Sequence, residues 1–271
     1  MKYYSSILAV FKNESHIIEE WIEHYKSIGI EKIYLLNDLS TDDFLEKIQK
    51  HIASGYVTLR NVEEKDDDKT IDWRQRYLYN KYYPEITKKT EWLSILDLDE
   101  FLYSPITKNI NLILEKYDKS IEQEIIMDWY FFGSSGYDHQ PNNVVQSFIK
   151  RGEKLAREYN YAYYGYEGSW CCKSFSKTKL LTKLCHHFNF YYYLNNNYYC
   201  SYGNYIDNFN INVSNLGEMY INHYLQSKKQ YSKKRKRGSC NNANIIRNKN
   251  LFNLFNKNEI EDTRLRDQKV N

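Results

Sequence analysis

The sequence predicts an α/β fold: a largely parallel sheet with helices on both faces. Three observations carry this reading. Apolar runs of strand length at Tyr3–Phe11, Lys32–Asn37, Tyr56–Val62 and Glu91–Asp97 are separated by segments of helical period. The fourth run closes on Asp97-Leu98-Asp99, an acidic pair at the end of a buried strand. No run of about 18 apolar residues occurs, so no membrane span is expected.

The first run, Tyr3–Phe11, is apolar enough for a central strand. Residues 1–12 are too short and polar for a signal peptide. Asn13 or Ser15 then caps a helix to about Ser27 with the stripe Ile17, Ile18, Trp21, Ile22, Tyr25 and Ile28, ended by Gly29. After the second strand, Ser40 or Thr41 caps a helix carrying Phe44, Leu45 and Ile48, which Gly55 closes. Residues 63–70 form a charged loop after the third strand. Ile71–Tyr83 is helical, with Pro84 helping to end it.

The second half is less regular. Thr107–Tyr117 reads as a helix and Glu124–Phe132 as a strand. Residues 133–136 read as a glycine turn, and Val144–Arg151 as a strand or short helix. Residues 153–170 read as loop, Lys173–Phe190 as one or two strands, the Asn-rich 195–215 as irregular, and Gln226–Arg237 as a basic helix. This divides the chain into residues 1–103, residues 104–225 of the same domain, and a C-terminal segment, 226–271.

Composition narrows the partners. The 271 residues suffice for one large domain, and a net charge of +3 does not suggest nucleic acid as a partner of the whole chain. Tyrosine is frequent, at 28 against 12 phenylalanines, so some rings are available to stack on sugars. The five cysteines are odd in number and lack C-x-x-C spacing, which reads as reduced thiols and a cytoplasmic location.

Ligands on parallel sheets sit beyond the C-terminal strand ends, and the chemistry gathers there. On a strand, Asp97 and Asp99 would leave one face together. Two such carboxylates are costly without a cation between them; a divalent metal carrying a nucleotide diphosphate would supply it. A solvated strand end is the plainer alternative. Asn37, Asp38, Ser40, Thr41 and Asp42 follow the second strand, suited to ribose hydroxyls or a base edge, or simply to capping a helix. Lys12, Asn13 and Glu14 follow the first strand at a nucleobase position. Arg74, Gln75 and Arg76 precede the fourth. The run Lys233–Arg237 reads as a lid over a diphosphate, as a nucleic-acid patch, or as a solvated helix face.

The chain resembles glycosyltransferase family 92 and its family 2-like relatives of the GT-A superfamily. The matching pieces are Lys12-Asn13-Glu14, then Glu20 to Tyr25 with Gly29, Asn37 to Asp42, Gln75, and Asp97 to Phe101. Trp129 with Phe132 to Gly136, Lys173-Ser174, His187, Ile221 to Tyr224, Ser227, Lys234 and Arg237-Gly238 complete them. The resemblance implies a GT-A-type, Rossmann-like nucleotide-binding mixed sheet flanked by helices, with an irregular acceptor-binding half and a basic C-terminal helix. It implies transfer from a nucleotide-sugar donor, most often a UDP-sugar, to a hydroxyl of a glycan or glycoprotein. It also implies Mn²⁺ or Mg²⁺ at Asp97 and Asp99 with His223 as a third ligand; imidazole suits Mn²⁺ better. Gln75, Lys234 and Arg237 join the nucleotide set, and Trp129, Phe132, Gly133, Gly136 and His187 the acceptor set. If transfer inverts the anomeric centre, a base is needed; Asp138 is the first candidate, ahead of Asp128 and Glu167. A non-catalytic glycan- or nucleic-acid-binding protein using the basic segment is the competing reading. A nucleotidyltransferase would need a glycine-rich phosphate loop after the first strand, which residues 12–15 do not supply.

Overall fold

A computed structural model of the chain describes residues 2–63, 74–120, 123–159, 172–184, 191–194, 197–200, 212–214, 217–237 and 249–268. Its first half is a βαβ series. The strands are β1 (Tyr3–Phe11), β2 (Lys32–Asn37), β3 (Val57–Asn61) and β4 (Thr90–Ile95), and the helices are α1 (Ile18–Ser27), α2 (Phe44–Ala53) and α3 (Arg74–Thr87). These four strands are parallel in the order β4-β1-β2-β3. Alternation splits β1 between two cores: Ile7, Ala9 and Phe11 pack with Trp21, Ile22 and Tyr25 of α1, while Leu8 and Val10 pack with Leu78, Tyr79 and Ile86 of α3. Each fully buried aliphatic side chain contributes roughly 1.5–3 kcal/mol here.

The second half extends the same sheet with mixed polarity. Its strands are β5 (Glu100–Tyr103), β6 (Glu124–Phe132), β7 (Lys150–Arg151), β8 (Cys172–Lys177), β9 (Leu181–Lys183), β10 (Tyr191–Leu194), β11 (Asn197–Cys200), β12 (Asn212–Ser214), β13 (Tyr220–Tyr224) and β14 (Ile260–Glu261). Strand β8 runs antiparallel to both β4 and β6, so it sits between them and joins the two halves. Strand β13 lies between β5 and β6. Strands β9, β10 and β11 form a separate small sheet. The remaining helices are α4 (Asn111–Leu114), α5 (Val144–Ser147), α6 (Lys228–Arg237), α7 (Lys249–Phe255) and α8 (Arg264–Asp267). The result is the mixed α/β sheet flanked by helices that the sequence predicts.

Several local expectations are corrected. Neither α1 nor α2 has a side-chain cap; Ile17 and Asp43 precede them without one. Asn13, Ser15, Ser40 and Asp42 instead tie two loops together, as described below. Pro84 lies inside α3, which continues to Thr87; the proline is exposed and forfeits one hydrogen bond in the last turn. The helix expected over 107–117 shrinks to α4 and one 3₁₀ turn. The Asn-rich 195–215 contains β11 and β12. The C-terminal segment adds strand β14 to the sheet edge through β7, locked by Arg151 Nε on Asp262 at 2.6 Å. Among the described residues no helix is long and apolar enough to cross a membrane.

Candidate active site

The acidic pair does not lie on a strand. Leu96 N–H still bonds the Leu8 carbonyl at 3.3 Å, but β4 has ended at Ile95, and Asp97 to Asp99 turn back into β5. This corrects the expectation that both side chains leave one strand face. The turn is held from several sides. Asp97 N–H donates to Glu100 Oε2 at 2.9 Å, and Glu100 N–H to the Asp97 carbonyl at 3.1 Å. Trp21 Nε1 reaches the carbonyls of Asp97 and Glu100, and Tyr25 Oη, one turn further along α1, also donates to Glu100 O. Tyr224 N–H donates to the Asp99 carbonyl at 2.8 Å.

The two carboxylates meet different lysines. Asp97 Oδ1 accepts from Gln75 Nε2 at 2.8 Å, and Asp97 Oδ2 lies 3.2 Å from Lys173 Nζ. Lys173 is fully buried on β8 and also lies 3.4 Å from Glu100 Oε2. Asp99 Oδ2 accepts from Lys234 Nζ of α6 at 2.8 Å, and the same ammonium lies 3.2 Å from Glu14 Oε1. Burial alone would raise the Asp99 carboxyl, but Lys234 and His223 outweigh it and hold it well below the usual range. Burial pushes Glu100 well above its ordinary value, with Lys173 opposing and both aspartates adding to the rise. Burial would depress Lys173, but Asp97 and Glu100 win and raise it.

His223 follows from β13, where it lies opposite Glu100. Its Nε2 is 3.7 Å from Asp99 Oδ1, its ring stacks on Trp129 at 4.7 Å, and its buried Nδ1 has no hydrogen-bond partner. Among the described residues no three His, Cys, Asp or Glu side chains gather closely enough to hold a metal by themselves. Asp99 and His223 nonetheless face each other across a gap too long for a hydrogen bond. That geometry fits a cation completed by phosphate and water oxygens, the usual state of Mg²⁺ and related ions at nucleotide sites. Asp97, taken up by Gln75 and Lys173, stands behind this pair.

A cavity of about 330 Å³ opens beside Lys234, lined by Asn13, Ser15, His16, Thr41, Asp42, Gln230, Lys233 and Lys234. Its walls are α6 and the loops after β1 and β2, and the loops are cross-tied by residues that include the expected helix caps. Asn13 N–H donates to Ser40 Oγ at 2.9 Å, Thr41 N–H to Asn13 Oδ1 at 2.7 Å, and Ser15 N–H to Asp42 Oδ2 at 2.8 Å. Asn13 adopts φ 51°, a left-handed conformation that asparagine tolerates better than most residues. Asn37 braces the second loop through Ser40 N–H and Asn61. Asp38 is occupied by Arg74 at 2.7 Å. The other Asp42 oxygen is buried without a partner, an acceptor available to a ligand hydroxyl or base edge.

Other predicted residues scatter. Lys12 is half-buried at the first loop. Phe132 is 1% exposed and packs on Tyr224, so its ring is core and offers no face to a sugar. Gly133 sits so close to the Lys257 carbonyl and the Asn258 side chain that a side chain would collide, and exposed Gly136 supplies φ 86° to the turn. Asp138 is exposed, its carbonyl accepting Lys229 N–H at the start of α6. Arg237 ends α6, and His187 and Glu167 lie outside the described residues. The basic helix is not a uniformly solvated face: Gln230, Tyr231 and Lys234 are buried. Sequence reasoning assigned no site role to Lys173, His16 or Gln226. His16 hydrogen-bonds Gln226 at 2.7 Å and Gln230 at 3.3 Å, joining α6 to the first loop.

The sequence pattern that defines glycosyltransferase family 92 matches residues 5–268. A glycosyltransferase family 92 protein of Ricinus communis is 22% identical over 145 residues, 51% of this chain and 24% of that protein. The galactan beta-1,4-galactosyltransferase GALS2 of Arabidopsis thaliana is 25% identical over 146 residues, 51% of this chain and 27% of that protein. The chain therefore spans about a quarter of the length of these curated relatives. Among solved structures, S. aureus TarS 1–349 in complex with UDP aligns with TM-score 0.40 and 14% identity, covering 66% of this chain and 48% of that one. Glucosyl-3-phosphoglycerate synthase from Mycobacterium tuberculosis, in complex with Mn²⁺, UDP and glucosyl-3-phosphoglycerate, aligns with TM-score 0.34 and 17% identity over 66% and 58%. With its match running almost from end to end, the chain belongs to glycosyltransferase family 92.

Proposed function

We propose that the chain transfers a sugar from a nucleotide-diphosphate donor, a UDP-sugar, to a hydroxyl of a glycan or glycoprotein. The observation that carries this reading is Lys234. Its ammonium lines the 330 Å³ cavity and bridges Glu14 and Asp99 at 3.2 and 2.8 Å. A cation between a nucleoside-sized cavity and an acidic turn is placed to exchange a carboxylate for diphosphate oxygens. The crossed loops and Asp42 hold the nucleoside, and Lys234 orients the diphosphate. Asp99 and His223 would hold a divalent cation, with Mn²⁺ favoured by the imidazole; it would stabilise charge on the departing diphosphate.

The acceptor oxygen forms a bond to the anomeric carbon as the bond to the β-phosphate oxygen breaks, and that oxygen keeps the electron pair. If transfer inverts the anomeric centre, the acceptor's proton passes to a base, for which exposed Asp138 beside the start of α6 is the candidate. Trp129 stacks on His223 and gives that side of the cation pair an apolar wall. Lys234 is turned inward onto Glu14 and Asp99, which favours transfer over the nucleic-acid reading for that side chain, while Lys233, Arg235 and Lys236 are exposed.

The test is turnover of a UDP-sugar panel with a galactan oligosaccharide and Mn²⁺. Asp99→Asn should lose at least a hundredfold in rate. Asp138→Asn should lower kcat with little change in donor KM. Unchanged turnover in Asp99→Asn would contradict the assignment.

A further inference from the structure

A second cavity, about 350 Å³, lies between α3 and the sheet face it covers, running from Lys2, Tyr3 and Lys32 at the strand starts along β2 and β3 to Leu36 and Arg60. Roughly 25 Å of β1 separates its Tyr3 and Lys32 end from the Asn13 loop. The volume is in the range of small-ligand pockets, roughly 300–1,000 Å³.

Its charge is one-sided. Arg60 is matched by Glu85 at 3.0 Å, the one carboxylate in the wall. Lys2, Lys32 and Lys89 also line it, with no carboxylate partner among the described residues. Lys32 decides the matter. It is 5% exposed, and its hydrogen-bond acceptor is the Gly55 carbonyl. The ammonium rests over the Tyr3 and Tyr34 rings at 5.6 and 5.7 Å. An ammonium has three N–H donors, and a buried cation without an anion is costly. Burial first, then Lys2 and Lys89, lower its pKa, with Tyr3 opposing. The Tyr34 hydroxyl, also in the wall, is buried without a hydrogen-bond partner, and neighbouring Thr90 shares its own hydroxyl with Ser6. Leu36 and Ile86 give the cavity an apolar side.

We propose that this cavity is an oxyanion site, separate from the donor site, that takes a small ligand bearing a phosphate or carboxylate. Lys32 sits at its floor, and exposed Lys2 and Lys89 sit at its mouth. The anion supplies the counter-charge that Lys32 lacks, and the rest of the ligand lies against Leu36 and Ile86.

The test is calorimetric titration of the full chain with inorganic phosphate and, separately, with glucuronate, at constant ionic strength. At least one should bind saturably, and the tighter of the two tells phosphate from carboxylate. Lys2→Gln combined with Lys89→Gln changes only exposed side chains and should weaken binding at least tenfold; Lys32→Gln should abolish it. Lys234→Met, at the donor site, should leave it intact. The proposal is overturned if neither anion binds, if the double variant binds like the unaltered protein, or if Lys234→Met alone removes binding.

Discussion

The indole N–H of Trp21 is shared between two carbonyls of the acidic turn, Asp97 O at 3.1 Å and Glu100 O at 2.9 Å. A helix on one face of the sheet thereby sets the backbone of the turn whose Asp99 pairs with Lys234 at the donor cavity. Trp21→Phe keeps most of the apolar bulk and removes this donor. It should cost about 2 kcal/mol in urea denaturation and weaken UDP binding, because the turn loses its brace.

Lys234 links Glu14 to Asp99 across the site. Lys234→Met leaves buried Glu14 and part-buried Asp99 without their shared counter-charge and should destabilise by about 3 kcal/mol. UDP affinity should fall at least tenfold while uridine, which has no diphosphate, binds nearly as before. Lys228→Met, exposed on the same helix and outside the cavity wall, is the matched control and should change neither quantity much. Calorimetry with the two ligands separates the effects.

Asn13 combines a left-handed backbone with an acceptor for Thr41 N–H. Asn13→Ala loses the acceptor and adds strain, so it should cost about 1–2 kcal/mol. Asn13→Asp keeps an acceptor and Asn13→Gly relieves the backbone, so both should fall between. Steady-state kinetics should show donor KM rising more than kcat falls.

His24 gives the clearest pH signature. Burial lowers its pKa to about 4, against the opposing hydrogen bond to the Leu102 carbonyl. The unfolded chain takes up a proton near the ordinary value of about 6.5, whereas the folded chain stays neutral to about pH 4. Stability contributed by the neutral ring is therefore complete above pH 6.5 and is lost as pH falls towards 4, on the order of 2–3 kcal/mol. In His24→Gln the slope of unfolding free energy between pH 4.5 and 6.5 should flatten. Urea melts across that range measure it.

The frame of the molecule was legible where one physical signal dominated. Strands β1, β2 and β6 match their apolar runs residue for residue, because each is a buried strand bounded by turn residues. Strands β5 and β13 were not legible, since they place Glu100, Asn222 and His223 inside the sheet, and polar residues hide a strand until their partners are known. The site shows the same divide. Asp99 and Glu14 were named from their places at strand ends and Lys234 from the family resemblance, and all three lie within one ion-pair network. Lys173 was given no role because its value comes from β8 inserting between β4 and β6. The capping expectation for Asn13, Ser15 and Ser40 failed because tertiary pairing of two loops outcompeted local helix capping.

The most direct measurement is UDP binding by calorimetry with and without Mn²⁺, in the unaltered chain and in Asp99→Asn. Mn²⁺ should tighten UDP binding at least tenfold in the unaltered chain, and that gain should vanish in the variant. UDP binding that ignores both the metal and the substitution, or no UDP binding at all, would contradict the account.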